Sequence, residues 1–416
     1  MNNKLEKIFE IVSFYDDCRW SSCTDNYNMI NFYSDSDGLD SDTKLLTHWL
    51  CYITNRQMPF ERIFDVGGYV FSELVWKYKN KTSINELLNP TDNKSFVKKE
   101  NKDKYCFVGT KVPNERILED YPKETKDDPV KFKPRFLPSD YLSILFTLHT
   151  LEKFNNSLSS YIATAYNRFK NGEDLIQKIL FSLYLLTYQN IGQHKYEDIE
   201  KWDKNSEEAN KRRNRILNYL SNSESVDNEF TDEFNKFQDN TRYHLKRAWC
   251  SLRDFLKSPE FNPYFRDALR QWMPDDDIEL LCDKNLWNQL ELPGDVWNNN
   301  PKFQRCVFDG VRENEKLNEF NKFLRNYYES SKKLKAGTSS PEQFDITFDF
   351  VPRMCEKNNC DICPIGRLSN KGKDFEKICL DNQSKFCPVS LVGCGYKMKC
   401  KGQKECELHK LVLINS

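Results

Sequence analysis

Eight cysteines crowd the C-terminal end of the chain, and they constrain its fold more than any other feature. Residues 355–406 hold eight of the 15 cysteines and begin with the stretch CEKNNCDICPIG. The residues between the cysteines are too polar to build an apolar core without a cross-link or a bound metal. The sequence therefore predicts a small cysteine-rich metal-binding module, which we place at residues 341–416.

The chain opens on MNNKLEKIFEIV, an amphipathic pattern without the apolar run of a secretory signal. We therefore expect a cytoplasmic protein whose cysteines are thiols or metal ligands instead of disulfides. Thiolates bind zinc and iron–sulfur clusters alike, and one C-x2-C pair does not separate the two. We expect an iron–sulfur cluster or zinc, in one or two sites. The predicted ligands are Cys355, Cys360, Cys363, Cys379, Cys387, Cys394, Cys400 and Cys406.

The module carries a positive charge excess that the rest of the chain lacks. Residues 353–416 contain 12 Lys and Arg against 7 Asp and Glu, whereas the whole chain has a net charge of −1. A compact basic module is suited to a polyanion such as DNA. The alternative is a solvated module whose lysines only keep it in solution.

Residues 1–340 are predicted to form a helical body, so the fold class is mostly α with the small module appended. Apolar residues recur at helical spacing in TKLLTHWLCYIT, in YLSILFTLHTLEKF after Pro138, and in TRYHLKRAWCSLRDFLKS. The most apolar run, residues 179–188, has the length of a buried helix, so no membrane partner is expected.

Two polar intervals interrupt this body. Residues 91–135 are polar and punctuated by prolines, which predicts a long loop or insertion. Residues 197–240 are rich in charge and predict a second excursion from the helical body.

The stretch RQMPFERIFDVGGYVFSELV combines charged and apolar residues around a glycine pair. Gly67 and Gly68 weaken a helix, so they either separate two helices or admit a close backbone approach. Arg56 is a candidate phosphate contact, and Glu61 or Glu73 a candidate catalytic carboxylate. The alternative is an ordinary packing contact between two helices.

A second candidate site lies in LELPGDVWNNNPKFQRCVFDGVREN. Its Leu-Pro-Gly step resembles the hairpin of helix-hairpin-helix DNA-binding elements, which present backbone N–H groups to a phosphate. In DNA glycosylases with that element an Asp follows, and Asp295 or Asp309 could take its role. The alternative for either residue is a helix cap or a turn.

A basic set lies on the helix predicted for TRYHLKRAWCSLRDFLKS. Its apolar residues share one face, and the basic residues fall largely elsewhere, where they could contact phosphates. Solvated surface is the alternative. The predicted nucleic-acid contacts are Arg56, His244, Lys246, Arg247 and Arg253.

Together, the RQMPFERIFDVGGYVFSEL block, the LELPGDVWNN step and the CEKNNCDICPIG tail resemble the alpha-glutamyl/putrescinyl thymine pyrophosphorylase group. That group is a branch of the helix-hairpin-helix-like DNA glycosylase superfamily. The resemblance implies a glycosylase-like enzyme acting on a hypermodified pyrimidine in DNA, in anti-phage defence or DNA modification. An Asp would assist cleavage of the N-glycosidic bond. No lysine lies in MPDDDIELL ahead of the hairpin, which favours a monofunctional enzyme.

Two other function classes remain open at this point. One is a metal-stapled nucleic-acid-binding or scaffold protein without catalysis, and the other is a redox protein with an iron–sulfur cluster. The sequence has no Gly-rich phosphate loop, no H-E-x-x-H and no G-x-S-x-G. These absences argue against nucleotide hydrolases, zinc proteases and serine hydrolases.

Overall fold

The computed structural model describes residues 38–54, 63–89, 92–109, 131–132, 138–187, 207–221, 228–235 and 242–290, without positions 94, 102, 103, 259, 284, 285, 287 and 288. Residues 28–282 form one compact unit, to which nearly all of the described residues belong. Residues 1–27 and 283–416 form a second unit, described only at positions 283, 286, 289 and 290. The predicted boundary between residues 340 and 341 lies outside the described residues.

Helix accounts for 76% of the described residues, which confirms a mostly α protein. The α-helices in chain order are α1 (Ser41–Thr54), α2 (Gly68–Lys79), α3 (Ile84–Leu88), α4 (Pro138–Leu151), α5 (Leu158–Phe169), α6 (Leu175–Leu186), α7 (Glu207–Leu220), α8 (228–235), α9 (Arg242–Lys257), α10 (Phe261–Leu269) and α11 (Asp275–Leu281). A π-helix spans Ile63–Gly67, and a 3₁₀-helix spans Glu152–Phe154. Among these helices none is long and apolar enough to cross a membrane.

Several helices begin at the predicted residue or bury the face that the sequence pattern predicts. Helix α4 starts at Pro138, whose fixed φ and missing N–H suit the first turn. Helix α6 contains most of the apolar run at residues 179–188 and is buried along nearly its whole length. On α9, Trp249, Leu252 and Leu256 are buried on one face, as the helical spacing predicts.

Helix α1 lies at the centre of the first unit. It packs against α2, α4, α5, α9 and α10, and every residue from Asp42 to Thr54 is buried. A helix enclosed on all sides is usually apolar throughout, but α1 also carries Lys44, His48 and several threonines. Because buried polar groups need hydrogen-bond partners, these residues must find theirs inside the protein.

The glycine pair joins two kinds of helix without a break. The π-helix ends at Gly67, and α2 begins at Gly68. Gly67 has φ −65° and ψ −42°, so the chain keeps a right-handed helical path through the junction. The glycine pair was expected to separate two helices. In the structure it marks a change from π-helix to α-helix within one continuous helical segment.

For residues 91–135 we predict a long loop or insertion, and part of that interval differs from a loop because it forms strands. Strands β1 (Val97–Asn101), β2 (Lys104–Val108) and β3 (Lys131–Phe132) form an antiparallel sheet in the order β1-β2-β3. Val97 pairs with Phe107, and the Phe107 ring meets Phe71 of α2 edge-on, with centroids 5.1 Å apart. The two apolar side chains stabilise a hairpin that the surrounding lysines hide in the sequence.

The interval 197–240 also differs from its prediction, because α7 and α8 lie within it. Phe230 and Phe234 of α8 are buried, and the Phe230 ring stacks on Phe169 with centroids 4.7 Å apart. Arg215 of α7 pairs with Glu233 of α8 at 2.9 Å. A sparse apolar face at helical spacing is enough to attach this charged segment to the body.

Candidate functional site: a buried histidine–aspartate cluster

Most of the predicted site residues lie outside the described part of the chain. The structure says nothing of the carboxylates Glu61, Asp295 and Asp309, of Arg56, or of the eight tail cysteines. For His244 and Lys246 it gives the backbone, which lies in the first turns of α9. Glu73, Arg247 and Arg253 are described in full, and each makes contacts inside the protein.

Glu73 lies in α2 with its side chain fully buried, and Lys77 Nζ pairs with Glu73 Oε1 at 2.9 Å. The carboxylate also lies against the backbone that follows β2. A Cβ on Gly109 would come within 3.2 Å of Glu73 Oε2 and of Val70 Cγ2. Only a residue without a side chain fits there unstrained. A catalytic role for Glu73 requires this ion pair to open, and that role stays a prediction.

The basic residues of α9 do not share one exposed face. Arg247 is half-buried, and its Nη1 donates a hydrogen bond to the carbonyl oxygen of Ile53 in the last turn of α1. Arg253 was predicted to contact a phosphate, but its side chain is only 3% exposed and cannot reach one in this structure. Its guanidinium lies over the Trp249 ring, 5.0 Å from the centroid, and pairs with Asp254. We therefore give Arg253 no part in a DNA-contacting face.

Four polar side chains meet at the contact between α1 and α9. Arg253 donates to Asp254 Oδ1 from Nε at 3.1 Å and from Nη2 at 3.0 Å. Tyr52 Oη donates to Asp254 Oδ2 at 2.6 Å, and His48 Nε2 lies 3.2 Å from the same oxygen. The side chains of His48 and Asp254 are both 0% exposed. We call this set the His48 cluster: His48, Tyr52, Arg253 and Asp254.

The cluster fixes the tautomer of His48. Asp254 is an ionised acceptor held by Arg253, so the ring nitrogen that faces it, Nε2, carries the proton. The other nitrogen, Nδ1, is then a bare acceptor. Nδ1 is buried, and among the residues that the structure describes it has no hydrogen-bond partner. A buried acceptor without a partner costs about 1–3 kcal/mol.

Aromatic rings enclose His48 on its remaining sides. The ring centroids of Phe261, Tyr52 and Phe255 lie 4.2, 4.7 and 5.0 Å from that of His48. Phe64, from the π-helix, stacks at 6.0 Å with an interplanar angle of 23°. π-Helices are rare and are frequent at functional sites. The surroundings of His48 are therefore apolar, apart from Asp254 and its partners.

A second charged group, of which only Asp42 is buried, stabilises the start of α1. Lys79 Nζ pairs with Asp40 Oδ1 at 2.7 Å and with Asp42 Oδ2 at 3.1 Å. Asp42 Oδ1 also accepts the backbone N–H of Ser159 in the first turn of α5, at 2.7 Å. Each of these two carboxylates thus has a structural partner.

Burial lowers the pKa of His48, and it is the largest influence on that ring. The hydrogen bond and the charge of Asp254 raise the pKa, and the charge of Arg253 lowers it. The ring is therefore neutral at neutral pH, in agreement with its role as a donor through one nitrogen and a free acceptor through the other.

We expect His48 to make the protein less stable in mild acid. In the unfolded chain a histidine has a pKa of about 6.5, so below that pH the unfolded state takes up a proton that the folded state does not. The free energy of unfolding is therefore not reduced by His48 above about pH 6.5. Below that pH His48 reduces it by at most about 1.4 kcal/mol per pH unit. Urea unfolding at about pH 7.5 and about pH 5.5 measures this loss. The His48→Phe variant should lose less, and equal losses in both proteins would contradict the assignment.

The described thiols show no sign of metal binding. Cys51, Cys106, Cys250 and Cys282 are buried, and none of the four forms a disulfide. Burial raises the pKa of Cys51, and it raises that of Cys282 to about 11, so both are thiols at neutral pH. Within the part of the chain that the structure describes, no three His, Cys, Asp or Glu side chains converge on a metal position. The predicted metal ligands therefore remain those of the tail.

Sequence reasoning did not select the His48 cluster, although two local signals mark it. His48 and Tyr52 lie four residues apart on α1, so they share one face of that helix. Arg253 and Asp254 are adjacent opposite charges on an amphipathic helix, and both are buried. The contact between His48 on α1 and Asp254 on α9 joins residues 206 positions apart, so no local sequence pattern predicts it.

Comparison with known proteins adds no relative: no family model, no curated protein and no solved structure matches this chain.

Proposed function

We propose that the protein is a DNA glycosylase-like enzyme that cleaves the N-glycosidic bond of a modified pyrimidine, in anti-phage defence or DNA modification. The observation that carries the proposal is the step Leu292-Pro293-Gly294-Asp295, which follows a helical body and precedes a basic, cysteine-rich tail. A tight turn of this kind presents backbone N–H groups to a phosphate and places a carboxylate beside it.

The chemistry requires a carboxylate near the sugar. As the bond between C1′ and the base breaks, the sugar gains the character of an oxocarbenium cation, which a nearby carboxylate stabilises. The same carboxylate orients a water, whose oxygen bonds to C1′ while its proton leaves toward the released base. Asp295 and Asp309 are our candidates for this role. The target nucleotide must first leave the base stack, because a duplex hides its sugar–base bond.

The tail would hold the DNA while the body does the chemistry. Its donor set of eight thiolates suits zinc or an iron–sulfur cluster, bound for structural reasons. His244, Lys246 and Arg247 on α9 and Arg56 after α1 are the remaining candidates for phosphate contacts in the body.

Base release from phage DNA tests the function directly. The protein is incubated with DNA that carries hypermodified pyrimidines, and released base and abasic sites are measured. We expect release that falls about 100-fold or more in Asp295→Asn or Asp309→Asn, whichever is the catalytic residue. The matched control is Glu86→Gln, which neutralises an exposed carboxylate on α3 and should leave release unchanged. Full release in both Asp variants would remove both candidates.

The positive excess of the tail also supports a second function, that of a metal-stapled DNA-binding or scaffold protein. The same experiment separates the two functions. Tight, salt-sensitive DNA binding without release from any modified DNA would favour the scaffold, because counterion release makes phosphate contacts depend on salt.

A further inference from the structure

We propose that Asn171 is a modification site, at which the backbone nitrogen of Gly172 displaces the side-chain amide as ammonia. The products are aspartate and isoaspartate at position 171, formed through a cyclic imide. The proposal goes beyond the proposed function and stands whether or not the protein acts on DNA. It needs no enzyme and no bound ligand, because the two reacting groups are neighbours in the chain and water supplies the rest.

The Asn171-Gly172 step is the only Asn-Gly pair in the sequence. The attacking nitrogen must come close to the side-chain carbonyl carbon of Asn171, and a side chain on the following residue hinders that approach. Glycine has no Cβ, so it removes the obstacle and gives the backbone more freedom to reach the reacting geometry. Among the asparagines of this chain, Asn171 is therefore the one most disposed to this reaction.

The pair lies in the exposed turn that connects α5 to α6. Asn171, Gly172 and Glu173 are all exposed, so water reaches both reacting groups. One hydrogen bond opposes the attack, because the Gly172 N–H donates to the carbonyl oxygen of Phe169 at 3.0 Å. A single bond of this kind slows the attack by about 2- to 13-fold. The turn therefore retards the reaction without blocking it.

The fold does not require a glycine at position 172. The φ of Gly172 lies outside the left-handed region that favours glycine. An added Cβ would meet Lys178 Nζ at 3.4 Å and the Phe169 carbonyl oxygen at 3.5 Å, which are ordinary contacts. Alanine thus fits the turn without strain, so the Gly172→Ala variant tests the chemistry and keeps the fold.

The reaction balances with hydroxide and water alone. Hydroxide removes the proton of the Gly172 nitrogen, whose electron pair then forms a bond to Cγ of Asn171. The bond between Cγ and Nδ2 breaks, and Nδ2 takes up a proton and leaves as ammonia.

Water opens the resulting five-membered imide at either of its two carbonyl carbons. Its oxygen bonds to that carbon, the bond from the carbon to the Gly172 nitrogen breaks, and the nitrogen regains a proton. Opening at Cγ restores the normal backbone and gives aspartate. Opening at the backbone carbon of residue 171 leaves the chain running through Cγ and gives isoaspartate.

Both products change the junction of α5 and α6. One neutral amide becomes one carboxylate, so the net charge of the chain falls by one from its value of −1. Isoaspartate also lengthens the backbone by one carbon between Phe169, which ends α5, and Asp174, which caps α6. The change in charge makes the modified protein separable from the unmodified protein by ion exchange.

Storage of the folded full-length protein in buffer, followed by proteolysis and mass spectrometry, tests the proposal. We expect the peptide with Asn171 to gain the mass difference between an acid and an amide, and to split into aspartate and isoaspartate forms. Because the attacking nitrogen must first lose its proton, the rate should be about tenfold lower at about pH 6.5 than at about pH 7.5. A peptide that keeps its amide throughout would overturn the proposal.

Asn80 is the matched internal control. It is exposed and follows the end of α2, as the turn with Asn171 follows the end of α5. Its Nδ2 donates to the Trp76 carbonyl oxygen at 2.8 Å, and the next residue is Lys81. The Asn80 peptide should keep its amide while that of Asn171 is lost. Equal rates at the two sites would refute a special role for the Asn-Gly turn.

Two variants complete the test. Gly172→Ala should slow the loss of the amide about tenfold or more, because its Cβ hinders the attacking nitrogen. Asn171→Gln should show no change in the same time, since its attack would require a six-membered ring. An unchanged rate in Gly172→Ala would show that the Gly172 nitrogen is not the attacking group. If that variant does not fold by circular dichroism, the comparison of Asn171 with Asn80 in the wild type decides alone.

Discussion

Replacing Asp254 with asparagine is expected to lower the free energy of unfolding by about 3–5 kcal/mol. The variant keeps the size of the side chain and removes the charge with which Arg253 is paired in the interior. A guanidinium that is 3% exposed has little access to water, so the loss of its buried counterion is costly. Urea unfolding followed by circular dichroism measures the change.

The matched control is Asp232→Asn on α8, where the carboxylate is exposed. Surface charges contribute about 0–1 kcal/mol, so its stability should stay near that of the wild type. Tyr52→Phe removes one hydrogen bond to Asp254 and should fall between the two, at about 1.5–3 kcal/mol. Equal stability of Asp254→Asn and Asp232→Asn would show that the buried pair does not stabilise the fold.

Removal of metal is expected to unfold the cysteine-rich module while the helices of residues 28–282 persist. Structural zinc contributes about 10–16 kcal/mol to the folding of small cysteine-rich peptides, which have no sufficient core of their own. Purified protein should contain one or two metal sites per chain by elemental analysis. After chelation, limited proteolysis should remove the region of residues 341–416, and the helical circular dichroism signal should remain.

Cysteine variants separate ligands from bystanders. Cys360→Ser should lose metal, whereas Cys51→Ala, at a thiol buried in α1, should keep it. A brown protein that dithionite bleaches would contain an iron–sulfur cluster, and a colourless one would contain zinc. A metal-free tail that is folded and resists proteolysis would contradict the metal prediction.

Helical spacing was sufficient to predict most of the described body, because most of the long helices have an apolar face that can be seen locally. The apolar residues of α9 and the Pro138 start of α4 are examples. The strands at residues 97–108 escaped prediction because few apolar residues anchor a short hairpin rich in lysine. Helices α7 and α8 escaped for the same reason, since charged residues outnumber the apolar ones that attach them.

The candidate site was harder to predict than the fold because its parts are far apart in sequence. His48 looks like one polar residue in an apolar helix until Asp254 is placed beside it. Arg253 was predicted to be a surface cation because charge alone does not reveal that two adjacent ionic residues are both buried as a pair. The missing information is the pairing of helices, which depends on the packing of the whole unit.

The central position of α1 has a consequence for how the chain is made. The ribosome must add 206 residues after His48 before Asp254 is made. It must add 226 residues after Ser41 before Asp267, to which the Ser41 hydroxyl donates a hydrogen bond, is made. A ribosome adds about 5–20 residues per second, so α1 spends roughly 10–40 s outside the tunnel before α9 and α10 follow. Helices α2, α4 and α5 can cover part of α1 earlier, but its packing is complete only when α9 and α10 have left the ribosome.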